Sequence, residues 1–500
     1  MNPQRPSKSS SIRPAHSVLP APFRRLRLAA LFALFAISAP GCFTLMGGEQ
    51  KVGDQAARQV EAEMGIVEDA ELAAWVTAIG QRLVAQTKDP DRSFRFQIVD
   101  MAVPNAFALP GGHIYVSRGL LSLVNTEDEL AGVIGHEIGH VVGSHASRRI
   151  TLAAPFKIIT GFTGWVTGIL TPRVGAAIRK GGDTMTDGLL VAPYGRQQER
   201  QADRIGLALA AAAGWDPDGL SDFLETLGRD DALRSGGARR TSWLDSHPAT
   251  NERVADTKKR AALLERADVA RIAADRPAVL ARLDGLLLGE DAAGGLVVDG
   301  LFIQPALGFT LGIPEGWVHE NAPTQFLASP PEGGAVILLR VAAEGDDPRS
   351  VLPELEKALG EKVSSRAVML GDLPGIRLRI DQRTRDGRMT LDVTYFAAGG
   401  LILELMGIAP VKSFERWASA VDGAVGKIRR PTDAEIAGLT EERLRVVSAE
   451  AGESIGVLAS RVASKWSAER LAVVNGREVE TRLEGGYGVK LMREEPYSLE

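Results

Sequence analysis

The run H-E-I-G-H at residues 136–140 constrains the fold more than any other feature of this sequence. On a helix, residues four positions apart lie on one face, so His136 and His140 can bind one metal ion together. Glu137 then stands beside the metal-bound water, where a carboxylate can act as a base. Thr126 and Glu129 form the capping pattern T-x-x-E, which predicts that the helix begins there.

A catalytic zinc ion usually has three protein ligands and leaves a fourth position open, so the motif requires a third ligand. The best candidate is Glu199, in the run E-R-Q-A-D at residues 199–203. Glu199 and Asp203 share a helix face, so Asp203 can accept a hydrogen bond from the free ring nitrogen of a ligating histidine. The sequence predicts one Zn²⁺ per chain, bound by His136, His140 and Glu199, with Glu137 as the catalytic base.

Two further histidines and two glycines near the motif are given structural roles. His145 lies nine residues after His136, about 180° round the helix at 100° per residue, so we expect it to face away from the metal. His113 lies in a predicted strand, where a place on the sheet surface is favoured and substrate contact is the alternative. Gly135 and Gly139 each cost the helix about 1 kcal/mol relative to alanine, which indicates that another backbone packs closely there.

The first residues are typical of an export signal. A basic stretch at residues 24–27 precedes the apolar run Leu28–Ile37, which is too short to span a bilayer as a permanent helix. The run A-P-G-C that ends at Cys42, the only cysteine, resembles a lipobox. We predict a signal peptide at 1–42 and a lipid on Cys42 that anchors the mature chain to a bacterial envelope membrane, on the periplasmic side. A generic signal peptide is the alternative.

The length and charge of the chain bound its organisation. Five hundred residues correspond to about three domains, and the net charge of −5 does not match a dedicated nucleic-acid binder, which usually has a basic patch. We predict a multidomain chain, with a mainly α-helical zinc metallopeptidase domain containing a small β-sheet at 50–268 and an α+β domain at 296–430. A small βααβ module at 443–493 resembles LysM modules, which bind peptidoglycan glycans; a small docking domain is the equal alternative.

Residues 151–180 separate the two halves of the predicted metal site and are apolar and rich in glycine. Pro155, Lys157, Arg173 and Arg179 disfavour a transmembrane helix in this stretch. We therefore predict a mobile flap or a pair of helices over the cleft.

Four stretches of the chain together resemble one family. They are NAFALPGGHIYVSRGLL (105–121), ELAGVIGHEIGHVVGSHA (129–146), ERQADRIGL (199–207) and SHP (246–248). The combination resembles the HtpX-like and CAAX-prenyl-protease-like family of gluzincin metallopeptidases, in its soluble periplasmic branch of the BepA and LoiP type. The resemblance implies the same three zinc ligands and the same base. It also implies that an extended peptide lies along an edge strand formed by Asn105, Ala106, Phe107, Ala108 and Leu109.

His247, in the run S-H-P, matches a motif that in related proteins places a histidine at the metal. Two roles follow from the resemblance. His247 can fill the fourth zinc position and hold the enzyme latent, which we favour, or it can donate to the oxyanion of the transition state. Tyr194 and Arg196 are the other candidate oxyanion donors, and the sequence does not rank them.

These features predict a zinc metalloendopeptidase of the bacterial cell envelope that cleaves misfolded or misassembled proteins in quality control. The alternative is a chaperone or adaptor with structural zinc, which binds envelope partners or peptidoglycan through its C-terminal half. Glu137 favours the enzyme, because a structural zinc site needs no base. A membrane-embedded prenyl-protein protease is disfavoured, since it needs several long apolar spans that the sequence does not contain.

Overall fold

The computed structural model describes residues 49–145, 194–234, 243–247, 251–384 and 387–498. The predicted signal peptide, the predicted lipid site at Cys42 and the predicted flap at 151–180 lie outside these residues. Within the described ranges, no helix has the length and apolar character that a membrane crossing requires.

The first part of the chain is a helical domain around a small sheet. Its helices are α1 (Glu49–Met64), α2 (Ala70–Val84), α3 (Arg118–Leu123), α4 (Glu127–Val142), α5 (Arg196–Ala212), α6 (Gly219–Arg234), α7 (Trp243–Ser246), α8 (Asn251–Ala261) and α9 (Arg276–Leu283). The sheet contains β1 (Arg95–Val99), β2 (Ala106–Leu109) and β3 (His113–Ser117). The strand order is β1-β3-β2, with β1 parallel and β2 antiparallel to β3.

Helix α4 begins where the capping pattern predicts. Thr126 Oγ1 accepts a hydrogen bond from the Glu129 N–H at 3.3 Å, and Glu129 Oε2 accepts one from the Asn125 N–H at 2.7 Å. The indole N–H of Trp215 donates to the Glu127 carboxylate at 2.8 Å. These contacts satisfy free N–H groups at the helix start and fix the direction of the first turn.

Helices α4 and α5 pack closely along a seam of small residues. A Cβ atom on Gly139 would lie 2.8 Å from the carbonyl oxygen of Ala202, and one on Gly135 would lie 3.1 Å from that of Gly206. Any larger side chain would push the two helices apart, because protein interiors are close-packed. The close approach predicted from the two glycines of α4 is confirmed, and it brings residues 136–140 near residues 199–203.

Residues 296–430 contain most of the β-structure and form the α+β region. Its strands are β4 (Leu296–Val298), β5 (Leu301–Gln304), β6 (Phe309–Gly312), β7 (Val318–Ala322), β8 (Gln325–Ser329), β9 (Val336–Glu344), β10 (Arg366–Leu370), β11 (Leu373–Thr384), β12 (Gly387–Ala398) and β13 (Leu401–Pro410). An antiparallel sheet has the order β10-β11-β12-β13-β9-β8-β7, and a smaller sheet has the order β4-β5-β6. Helices α10 (Leu352–Leu359) and α11 (Phe414–Gly426) complete the region. Separate apolar clusters form around it, one including Phe396 and Val421 and another including Leu391 and Ile402.

The last part, residues 440–496, is a βααβ unit, here named the terminal module. After a short helix α12 (Asp433–Ala437), it consists of β14 (Thr440–Ser448), α13 (Ile455–Arg461), α14 (Ala468–Val474) and β15 (Gly488–Pro496), with β14 antiparallel to β15. Leu444, Leu471 and Val489 of this module belong to the same apolar core as Leu120 and Leu283 of the helical domain. The terminal module and the helical domain therefore share a core.

Buried polar contacts reinforce this shared core. Lys490 of β15 is fully buried, and its Nζ donates to the carbonyl oxygens of Ser122 and Val124, at 2.9 and 2.7 Å. Asn125 Nδ2 donates to the Val474 carbonyl oxygen at the end of α14, at 3.2 Å. The terminal module therefore contacts the backbone immediately before the helix that carries the H-E-I-G-H run.

Candidate active site

Four side chains that can bind a metal meet at one point. His136 and His140 come from α4, Glu199 from the first turn of α5, and His247 directly follows α7. One ligand atom from each lies within 4.8 Å of the others, and all four side chains are buried. His136 Nε2 lies 3.0 Å from His140 Nε2 and 3.1 Å from His247 Nδ1. Glu199 Oε1 lies 3.3 Å from His140 Nε2. The structure thus brings the three predicted zinc ligands together with the candidate fourth.

The spacing and charge of these groups suit a zinc ion. Zinc binds imidazole nitrogen at about 2.0–2.1 Å in tetrahedral geometry, which places neighbouring ligand atoms about 3.3 Å apart. The contacts just described lie close to that separation. Three buried carboxylates, those of Glu137, Glu199 and Asp203, face one buried guanidinium, that of Arg253. The group therefore has a formal excess of two negative charges, which a divalent cation would balance.

The four side chains take the protonation states of metal ligands. Burial lowers the pKa of His140 to about 3 and that of His247 to about 4, so both imidazoles are neutral at pH 7. Burial also lowers the pKa of His136. Burial alone would raise the pKa of Glu199, but the surrounding histidines, led by His247, hold it below its usual value. Neutral imidazoles and an ionised carboxylate are the forms that bind zinc.

The outer ring nitrogen of His136 has a carboxylate partner. His136 Nδ1 donates to Asp203 Oδ1 at 2.9 Å, and Asp203 lies one helical turn after Glu199. Burial alone would raise the pKa of Asp203, but the Arg253 guanidinium and the His136 imidazole together outweigh burial and bring the pKa to about 2. A carboxylate on the outer nitrogen fixes the ring orientation and directs Nε2 toward the metal position.

His145 lies against the outer ring nitrogen of His140, as Asp203 lies against that of His136. The prediction that His145 faces away from the metal is therefore wrong. Its Nδ1 lies 3.0 Å from His140 Nδ1, and its side chain is buried. The prediction extends the helix to residue 145, whereas α4 ends at Val142 and Ser144 has a φ of 55°. The left-handed backbone at Ser144 turns the chain back, so that His145 approaches the outer nitrogen of His140.

Arg253, in α8, is absent from the residues that the sequence predicts for this site. Its guanidinium lies 2.7 Å from Glu199 Oε2 and donates to both Asp203 oxygens, at 2.7 and 2.9 Å. It also donates to the His247 carbonyl oxygen at 3.3 Å. Arg253 thereby joins both α5 carboxylates to the segment that carries His247. Its only signal in the sequence is its place six residues after His247, in a charged run that is typical of a solvated helix.

Trp243 is the second site residue that sequence reasoning does not find. It is fully buried, and its indole N–H donates to Glu137 Oε1 at 3.0 Å. The indole also stacks on the His247 ring, with centroids 4.8 Å apart and planes at 24°. Its context, W-L-D-S-H, gives no indication of the contact, because a lone tryptophan is usually a core residue.

The remaining candidate residues divide between the site and its surroundings. The Tyr194 ring stacks on His140, with centroids 3.9 Å apart, whereas Arg196 is exposed at the start of α5. His113 is buried, and its Nε2 lies 2.9 Å from Asp54 Oδ1. The predicted place of His113 on the sheet surface is therefore wrong, because helix α1 covers that part of β3.

The segment predicted to bind an extended peptide lies at the edge of the small sheet. Strand β2 pairs with β3 on one side, and no other strand among the described residues lies on its second side. Asn105, directly before β2, is buried, and its N–H donates to Ser117 Oγ at 2.8 Å. Helix α4 packs against β2, so the edge strand lies beside the helix that carries His136 and His140.

Comparisons with known proteins agree with this geometry. A model of peptidase family M48 matches residues 70–261, a range that contains all four candidate metal ligands. The beta-barrel assembly-enhancing protease of Escherichia coli (strain K12) is 29% identical over 227 residues, which are 45% of this chain and 46% of that protein. The protein of the same name from Yersinia pestis is 30% identical over 219 residues, 43% of this chain and 44% of that one. The mitochondrial metalloendopeptidase OMA1 of Arabidopsis thaliana is 35% identical over 177 residues, 35% of this chain and 32% of that one.

These similarities cover part of each protein, since the chain spans less than half the length of these three relatives. A solved structure from Bacteroides thetaiotaomicron matches 29% of this chain and 52% of its own, at a TM-score of 0.23 and 15% identity. The match of the family model and the buried His-His-Glu-His group coincide in the helical domain. Residues 70–261 of this chain are therefore similar to peptidase family M48, a family of zinc-dependent metallopeptidases.

Proposed function

We propose that this chain is a zinc-dependent metalloendopeptidase that hydrolyses peptide bonds in proteins. The observation that carries the proposal is the convergence of His136, His140 and Glu199, with Glu137 fully buried on the same helix as the two histidines. When bound, zinc lowers the pKa of water and polarises the scissile carbonyl. The Glu137 carboxylate takes the proton of the attacking water and passes it to the leaving amine. The edge strand at 105–109 holds the substrate in an extended form.

The second candidate function is that of a chaperone or adaptor with structural zinc. One observation favours it: with His247 the site has four protein ligands, as closed structural zinc sites do. A structural site needs no base, however, and burial of the Glu137 carboxylate beside it costs free energy. The two candidates therefore differ in what Glu137 does.

Cleavage of an unfolded protein by the wild type and by Glu137→Gln tests the proposal. We expect chelator-sensitive cleavage by the wild type. Glu137→Gln should show no proteolysis and keep one zinc ion per chain, because it removes the base and no ligand. Glu199→Ala is the companion variant, since it should lose the zinc ion together with the activity. Cleavage by Glu137→Gln near the wild-type rate would exclude the mechanism. A wild type that binds zinc but does not cleave would favour structural zinc.

We also propose that His247 is the fourth zinc ligand and keeps the enzyme latent. Its Nδ1 lies 3.1 Å from His136 Nε2 and 3.0 Å from Glu199 Oε1, inside the group of ligand atoms. A donor to the oxyanion would lie beside the fourth metal position rather than in it. The substrate must therefore displace His247 before the scissile carbonyl group can reach the metal.

His247→Ala separates the two roles of this histidine. A latch predicts that basal cleavage of an unfolded protein rises above the wild-type rate, whereas an oxyanion donor predicts a fall of about 10²–10³ in kcat. His319→Ala is the matched control, because it removes an exposed imidazole in the α+β region. Unchanged cleavage by His247→Ala would leave His247 with a structural role.

We propose that the substrates are misfolded or misassembled proteins of the bacterial envelope, reached from the periplasmic side. Support comes from relatives named for the assembly of β-barrels and from the export signal that the sequence predicts at residues 1–42. A lipid on Cys42 would anchor the mature chain to a membrane. Mass spectrometry of the mature N-terminus tests this anchor, and an unmodified N-terminus at another residue would contradict it.

For the terminal module we propose a docking role within the protease itself, which its shared core with the helical domain supports. The resemblance to LysM modules implies peptidoglycan binding as well. Cosedimentation of the full chain with purified peptidoglycan tests that second role. A chain that stays in the supernatant would leave docking as the role of the module.

A further inference from the structure

Buried tryptophans hold two carboxylates of helix α4. At the start of the helix, Trp75 and Trp215 each donate an indole N–H to Glu127, at 2.9 and 2.8 Å. Ten residues further along α4, Trp243 donates its indole N–H to Glu137 Oε1 at 3.0 Å. The indole nitrogen is a donor only, so each of these bonds fixes one carboxylate oxygen.

Trp243 is held from several sides that do not involve Glu137. Its backbone N–H donates to the Pro104 carbonyl oxygen at 3.0 Å, directly before the edge strand region. Its ring stacks on His247 and meets the His136 ring edge-on, with centroids 5.4 Å apart. The indole is fully buried, so the direction of its N–H is set by the packing around it.

We infer that Trp243 is a positioning residue for the base Glu137, an inference that rests on the proposed function. The terminal torsion of a glutamate side chain has broad minima, so a carboxylate without a fixed donor can rotate. A general base acts only when it lies within hydrogen-bond reach of the proton it takes, in the right direction. The indole N–H holds Oε1 and thereby fixes the plane of the Glu137 carboxylate beside the metal ligand His136.

The same short helix that carries Trp243 leads into His247. The His247 N–H donates to the Trp243 carbonyl oxygen at 2.8 Å, so the two residues form one segment. Withdrawal of the whole segment would remove the donor from Glu137 together with the fourth ligand. Trp243 therefore stays in place during catalysis, and His247 leaves by rotation of its own side chain.

The test compares Trp243→Phe with Trp215→Phe in the full chain. Both changes remove one fully buried indole N–H from one carboxylate of α4, but only Trp243 contacts the base. We expect Trp243→Phe to lower kcat about tenfold with KM and zinc content unchanged. Trp215→Phe should lower the unfolding temperature by about as much as Trp243→Phe does, but it should leave kcat unchanged. Replacement of Trp243 by 3-benzothienylalanine, which keeps the bicyclic ring without the N–H, gives the same comparison if Trp243→Phe does not fold.

Three outcomes would overturn the inference. The first is a kcat of the Trp243 variants within twofold of the wild type. The second is an equal loss of kcat in Trp215→Phe, which would indicate a general effect on the fold. The third is a rise in basal cleavage, which would mean that the indole holds the latent state only. Failure of the proposed function would look different from these three outcomes. In that case the wild type would not cleave, or Glu137→Gln would still cleave.

Discussion

Two regions follow the helical domain along the chain, and they relate to it in opposite ways. The α+β region builds its own apolar clusters around its sheets. The apolar residues of the terminal module instead complete the core of the helical domain. The region that is nearer in the sequence is therefore the more independent one, so order along the chain does not indicate which parts fold together.

The two ends of the α+β region lie side by side. The Leu288 N–H donates to the Glu442 carbonyl oxygen at 2.7 Å, and the Leu444 N–H donates to the Leu286 carbonyl oxygen at 2.8 Å. The chain thus leaves the helical domain and returns to it at one place. The α+β region has the geometry of an insertion into a domain that is continuous in space.

Removal of the terminal module should have the largest effect. A chain that ends at residue 438 loses Leu444, Leu471 and Val489 from the core of the helical domain. Each buried side chain of this kind contributes about 1.5–3 kcal/mol, and a whole domain is stable by only about 5–15 kcal/mol. We expect a chain without a cooperative thermal transition, bound zinc or proteolysis. Calorimetry and metal analysis check this, and a truncated chain that keeps its zinc and activity would contradict the shared core.

A single substitution in the terminal module should have an intermediate effect. Lys490→Met removes the donor from the Ser122 and Val124 carbonyl oxygens, while it relieves the burial of an amine. We expect the free energy of unfolding to fall by about 2 kcal/mol, measured by denaturant titration. Lys465→Met is the control, because Lys465 forms an exposed ion pair with Glu494, at 3.0 Å, and such pairs contribute about 0–1 kcal/mol. Equal losses in the two variants would show that the buried contact adds nothing beyond a surface pair.

Excision of the α+β region should have the smallest effect on the helical domain. Replacement of residues 293–438 by a short Gly-Ser linker keeps the neighbouring ends together, and closure of a short loop costs little free energy. The unfolding temperature of the helical domain and its Glu137-dependent cleavage of an unfolded protein should stay near those of the full chain. Loss of both would mean that the α+β region supports the fold of the helical domain.

The parts of the site that depend on local spacing could be predicted from the sequence. His136 and His140 share a face of α4, and Glu199 and Asp203 share a face of α5, because helical periodicity alone decides this. Gly139 also carries a readable signal, since a glycine in a helix indicates a close neighbour. The βααβ order of the terminal module and the strands β9, β11, β12 and β13 of the α+β region follow from similarly local patterns.

The rest depends on contacts between distant parts of the chain. Trp243 and Glu137 are 106 residues apart, and Arg253 and Asp203 are 50 apart, so no local pattern connects them. The orientation of His145 depends on where α4 ends, which its residue types do not reveal. The shared core could not be predicted for a related reason. The apolar residues of a small module give the same sequence pattern whether they pack against each other or against another domain.

The place of the terminal module in the core also sets an order in time. Proteins are synthesised from the N-terminus, so the H-E-I-G-H run is made roughly 300 residues before Leu444, Leu471 and Val489. The helical domain cannot complete its core until those late residues are present. A nascent chain therefore carries the proposed metal ligands and the proposed base well before it can hold them in place. Proteolytic activity should arise only after the terminal module has been synthesised, and a chain released before that point should never acquire it.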